Sequence, residues 1–191
     1  MVFYMSEYIL LRTSGPAVTP TADDSTHAIN IVDYAHHEIH GGSAYFIIYS
    51  ALADDTGVIE VRVQTPDSAK WAHAEVEFSS ALAATLEFHE ATTMTHEAGN
   101  VLTPMNRNRN SIKTSGLTVC HTPGGADTSG ADWLEYIGSA SVSGRGDVGG
   151  GSSSRHELIL KQNEDYLIRL TSRADANALT IGLDWYEHTD K

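Results

Sequence analysis

The residues best suited to chemistry lie close together at His36-His37-Glu38-Ile39-His40. Imidazoles and carboxylates are the usual ligands of zinc and other transition ions, so this run is the first place to look for a metal centre. Its value depends on the backbone. On a helix, His36 and His40 share a face as paired zinc ligands do, although Gly41-Gly42 follows at once and no apolar helical period surrounds the run. On a strand, His36, Glu38 and His40 project to one side at successive spacings of about 7 Å, and Ile39 projects to the other.

The strand geometry would suit the mouth of a cupin-like barrel, where two histidines, a glutamate and a later histidine hold a metal. His73, His89, His96, His121, His156 and His188 are available as later ligands. The glycines and proline of the cupin pattern have no counterpart around His36 to His40. The expectation is therefore that these histidines pack and hydrogen-bond at a strand end or subunit contact, with no bound metal. Clustered imidazoles also make a pH-dependent contact, since unperturbed histidine titrates near pH ~6.5.

Two further runs could contact a partner. Asn106-Arg107-Asn108-Arg109-Asn110 sets two cations among amides, good donors to carboxylates or backbone carbonyls, and is the candidate docking loop of an otherwise acidic chain. Arg145-Gly146-Asp147 spells an integrin-binding tripeptide within a glycine-rich loop, but a match of three letters arises readily by chance. There is no nucleophile elbow, no phosphate loop with its lysine and no paired-cysteine metal site. Acidic pairs such as Asp54-Asp55 and Glu75 with Glu77 are common in turns and strands. No catalytic residue, cofactor site or metal site is assigned, and the chain is not read as an enzyme.

The elements that position these residues are strands. Apolar residues recur at every second position in Tyr166, Ile168 and Leu170 and again in Leu179, Ile181, Leu183 and Trp185 or its neighbour Tyr186, the period of a strand with one buried face. Ser172 to Asn177 between them is polar and turn-forming, so the pair reads as the closing hairpin of a two-sheet sandwich. Other strand-like segments run from Ala28 to Tyr34, Ala44 to Leu52, Gly57 to Thr65, Ala72 to Phe78, Ala83 to His89, Gly116 to His121, Trp133 to Gly138 and Glu157 to Lys161. Ser79 to Leu86 also allows a helical turn, because Ala and Leu favour helix. The expected fold is all-β: a two-sheet antiparallel sandwich or jelly roll in preference to a barrel, residues 28–191, behind an N-terminal arm or linker, residues 1–27, rich in Pro, Thr, Ser and Asp. The loops Thr103 to Ser115, Thr122 to Asp132 and Ser141 to Ser154 are expected at the surface, the last the most mobile.

Composition narrows the function. Twelve basic against 25 acidic side chains leave a net charge of −13, which repels nucleic acid and anionic membranes. The single Cys120 cannot form an intrachain disulfide, and no window approaches the ~20 apolar residues of a membrane span. A soluble product of a cytoplasm is expected, with its start at Met1 or Met5.

Three segments carry a family resemblance: AINIVDYAHHEIHGGSAYFIIYS (Ala28 to Ser50), the NRNRNS run (Asn106 to Ser111) and LILKQNEDYLIRLTSRADANALTIGLDWYEH (Leu158 to His188). In these the chain resembles a family of tailed-bacteriophage head decoration and accessory virion proteins. The resemblance implies a jelly-roll-like subunit that forms homo-oligomers, a trimer ahead of a dimer. It also implies a place on the outer capsid surface, bound to the major capsid protein, after synthesis in the host cytoplasm. Asn106, Arg107, Asn108 and Arg109 are then the candidate capsid-docking residues. The alternatives are a tail or fibre module for host-surface binding and, behind it, a cupin-like metal enzyme.

Overall fold

The computed structural model describes residues 34–127, 132–138, 144–148 and 157–189. It opens with a helix, α1 (Tyr34–Gly41), followed by β1 (Ala44–Ala53), β2 (Val58–Gln64), β3 (Trp71–Ser80) and β4 (Ala84–Glu90). Two short strands, β5 (Met105–Asn106) and β6 (Thr118–His121), then lead to β7 (Asp132–Gly138), β8 (Gly144–Val148) and β9 (Leu158–Leu160). The long strands β10 (Asp165–Ser172) and β11 (Asn177–His188) close the chain. All pairings are antiparallel. One sheet runs β5-β1-β11-β3, with β8 and β9 sharing the far edge of β3, and the other runs β6-β2-β10-β4-β7. The order β1-β11-β3-β8 facing β2-β10-β4-β7 is that of a jelly roll, in which successive strands cross between sheets.

One-sided burial makes the sandwich. In β11 every odd residue from Asn177 to Glu187 is buried while the even ones are not, and in β3 every even residue from Ala72 to Ser80 is buried. Ile181, Leu183 and Val76 from one sheet and Val61, Ile168, Leu170 and Phe88 from the other fill a single core. The two apolar runs of β10 and β11 do not form a hairpin, as the sequence suggested, because the strands lie in opposite sheets. A period of two shows only that a strand has one buried face, and their apolar faces meet across the core.

The residues expected to form the hairpin turn carry the chain from one sheet to the other and tie three such crossings together. Ser172 and Asn177 are both fully buried. The Asn177 amide donates to the Ala83 carbonyl (3.0 Å) and to Ser172 Oγ (3.1 Å), while its oxygen accepts from Leu82 N (2.8 Å). The Ser172 backbone bonds both ways with the β1–β2 turn, accepting from Thr56 N (3.0 Å) and donating to the Gly57 carbonyl (2.8 Å). These bonds hold Thr56 at φ 64°, a left-handed conformation costly for a β-branched residue.

Other expectations are corrected by the coordinates. Tyr34, read as the end of a strand, begins α1, and residues 28–33 lie outside the described residues, as does the arm. The segment around Ser79 to Leu86 is strand, bend and strand without a helical turn. Gly144–Val148, expected in a mobile loop, is the strand β8, paired with Val76 to Ser80. A strand edge like that of β3 offers unpaired backbone groups, and glycine-rich sequence satisfies them without having to fill a core.

The outer faces of the sheets differ. On the β6-β2-β10-β4 sheet, Arg62, His89, Cys120 and Leu167 occupy outward register positions yet are buried. Stretches before β5 and after β6 run along this sheet, with Thr92 N bonded to the Asp165 carbonyl and, beside β6, Leu102 N bonded to the Val119 carbonyl and Val101 bridged to Cys120. Asp127 is anchored there by His89 (3.1 Å), both side chains being 4% exposed. The outer face of the β1-β11-β3 sheet carries no such cover among the described residues, and Ile48 and Leu52 stand exposed on it.

The Asn177 node makes a prediction. Asn177→Ala removes the partner of the Leu82 amide and one of the two donors to the Ala83 carbonyl at a fully buried position and should cost about 2 kcal/mol, whereas Thr180→Ala on the open face of the same strand should cost less than ~0.5 kcal/mol. Urea unfolding followed by tryptophan fluorescence measures both, and equal midpoints would refute the node.

Candidate functional site

Alternation in β3 and β11 sends one set of residues into the core and the other onto the open face, where cross-strand register sets the neighbours. Tyr186 lies beside His73, Asp184 beside Glu75, and Gly182 beside Glu77 on one side and Ile48 on the other. At the end nearest α1 these residues line a cleft of about 200 Å³, closed by Ile39 of the helix, Arg107 and Glu157. The cleft continues through Arg107 and Asp184 into a second concavity, and through Ile48, Glu77 and Gly182 into a third, of about 260 and 270 Å³. Gly182 forms the floor of this groove because it has no side chain to fill the space between Ile48 and Glu77.

A hydrogen-bonded relay forms one wall. The Tyr186 hydroxyl donates to Glu157 at 2.9 Å, and the same carboxylate meets His73 Nδ1. His73 Nε2 lies 2.6 Å from His188 Nε2. A carboxylate accepts only, so when both rings are neutral His73 carries its proton on Nδ1, its Nε2 is an acceptor, and His188 Nε2 donates. The His73 and Tyr186 rings stack with centroids 4.7 Å apart. This is a carboxylate-oriented imidazole pair, able to hold or pass a proton at the cleft wall.

The opposite wall is electrostatically strained. Glu75 and Asp184 are direct cross-strand neighbours, an arrangement in which like charges repel. Burial raises the Glu75 carboxyl above its usual range, and Glu157, Asp184 and Glu77 raise it further; Arg107 acts in the other direction. Arg107 relieves the strain by pairing with Asp184, Nε to Oδ1 at 3.1 Å, while its guanidinium lies 5.8 Å from the centre of the Phe46 ring. The cleft thus presents an excess of carboxylates, one engaged cation, and aromatic edges.

The sequence candidates are placed differently from one another. His36 and His40 are on α1, the helical alternative, with Nε2 atoms 3.0 Å apart, while Glu38 is buried away from them. Asn106 is buried, and its amide donates to the Gly42 (2.9 Å) and Lys113 (3.1 Å) carbonyls. Asn108 donates to the His40 carbonyl (3.0 Å), and Arg107 belongs to the cleft. The run therefore clamps α1 to the sheet, and both its cations are exposed, Arg109 being bonded to the Asn106 carbonyl at 3.3 Å. Arg145 to Asp147 lie in β8.

His73, Glu157, Tyr186 and His188 were not singled out as a group in the sequence, because β3, β11 and the residue before β9 supply them from distant segments. The polar half of the alternation in Trp71–Ser80 and Asn177–His188 was the available signal. Among the described residues, no group of three or more His, Cys, Asp or Glu side chains is arranged to hold a metal ion, and no helix is long and apolar enough to cross a membrane. Compared with protein-family models, curated proteins and solved structures, the chain matches none.

Two outcomes follow. With its folded-state carboxyl raised, Glu75 contributes stability that is complete below the ordinary carboxylate range and is lost as pH rises through the raised value. Glu75→Gln should therefore melt above the wild type at pH 7 and lose that advantage below about pH 4. A gap that widens on acidification would refute the assignment. Long-range proton–nitrogen NMR should find the His73 proton on Nδ1, and the Nε2 tautomer would break the relay.

Proposed function

We propose that this chain is a virion structural protein that decorates or cements the outside of a phage capsid through non-catalytic contacts with the major capsid protein. The observation that carries this reading is the asymmetry of the jelly roll. On one outer face Arg62, His89, Cys120 and Leu167 are buried, whereas among the described residues the other is an open groove with exposed Ile48 and Leu52 beside it. Jelly rolls recur in viral capsid and lectin domains, and an open sheet face on a rigid sandwich suits attachment to a repeating lattice. The net charge of −13 suits a soluble ornament held at high local density. In this reading the subunit forms a homo-oligomer, a trimer ahead of a dimer, whose several weak contacts add through avidity.

The groove also supports a second reading, a tail or fibre module that binds host-surface glycans, since lectin domains share this architecture. The cupin-like enzyme falls behind both. Its ligands belong on inward-facing strands, and here Val61, Ile168 and Ile181 occupy the interior while His36, Glu38 and His40 sit on a helix outside it.

Cosedimentation with capsids stripped of this protein tests the proposal. Wild type should pellet with the shells. Deletion of Met1 to Ser25, or Arg109→Glu, should reduce the bound fraction several-fold by removing feet of a multivalent contact, with circular dichroism unchanged. No binding by wild-type protein, together with retention on a glycan array, would favour host recognition.

A further inference from the structure

We infer that His36 and His40 form a two-imidazole site for a divalent transition ion, with nickel(II) and copper(II) ahead of zinc. The argument begins with spacing. In α1 the two residues stand four apart, on one face, with the ring planes at 75° and their Nε2 atoms hydrogen-bonded to each other at 3.0 Å, so that an ion would replace the shared proton. With metal–nitrogen bonds of about 2.1 Å, that separation places the two donors close to a right angle about a shared ion. A right angle is the cis angle of square-planar, tetragonal and octahedral centres, whereas a tetrahedral ion needs the nitrogens roughly 3.4 Å apart. The geometry therefore selects among metals as well as providing ligands.

The helix is held in place for this role. Asn108 donates to the His40 carbonyl at 3.0 Å, Lys113 Nζ to the Gly41 carbonyl at 2.8 Å, and Ser43 N to the Glu38 carbonyl at 2.9 Å. Glu38 is buried and Ile39 faces the cleft, whereas His36 and His40 are both exposed. The backbone that carries the two ligands is thus fixed before an ion arrives. The other close imidazole pair, His73 and His188, has Nε2 atoms only 2.6 Å apart and is oriented by Glu157, a geometry suited to sharing a proton.

The test uses the full chain without an affinity tag. Calorimetric titration with nickel(II) chloride should show one equivalent, weakened about tenfold or more in both His36→Ala and His40→Ala because each removes half of the chelate. His37→Ala should retain wild-type affinity. Alanine is a strong helix former, so the variants should keep α1, which circular dichroism checks. With one equivalent of copper(II), electron paramagnetic resonance should show coupling to two nitrogens, reduced to one in His40→Ala. Equal nickel affinity of wild type and His40→Ala, or a single-nitrogen copper signal in the wild type, would overturn the site.

Discussion

The fold depends on two buried polar side chains, Ser172 and Asn177, which tie together the crossings from β1 to β2, from β3 to β4 and from β10 to β11. A jelly roll must pass its chain repeatedly between two sheets, and each passage strips backbone groups of their ladder partners. Burying such groups is tolerable only if each finds a partner, and here Asn177 serves the Leu82 amide and shares the Ala83 carbonyl with the Arg173 amide. With the crossings fixed, β10 and β11 face each other across the core, and the alternation in each strand decides what reaches the outside. The groove, its relay and its crowded carboxylates all follow from that registration.

The two sides of the sandwich use charge differently. On the covered side, Asp127 meets His89 where both side chains are nearly sealed from solvent, so the pair fastens a long segment to the sheet. On the open side, Glu75 and Asp184 face each other across neighbouring strands and are only partly relieved by Arg107. Repulsion of this kind lowers stability and supplies no packing, which is a reason to look for function where it is found.

Much of the strand content was legible in the sequence, because one-sided burial leaves a period of two that needs no partner to be seen. Sheet membership was not legible: Tyr166 to Leu170 and Leu179 to Trp185 have the same pattern whether the strands lie side by side or face to face. The chemistry around His36 was visible since its residues are consecutive, but the choice between helix and strand rested on tertiary contacts, namely Asn108 and Lys113 reaching the end of α1. The Asn106 to Asn110 run showed its hydrogen-bonding capacity, yet not that its amides would be used internally. His73, Glu157, Tyr186 and His188 become neighbours only after β9, β3 and β11 pair.

The sandwich also has a mechanical character. The start of β1 lies against the end of β11, with Ala44 paired to Tyr186, so the polypeptide enters and leaves the body at one end. Tension applied through both ends would load the β1–β11 ladder one hydrogen bond at a time, like opening a zip, instead of shearing all its bonds together. Such a body yields at low force when pulled by its own ends, and resists far better when held across its faces.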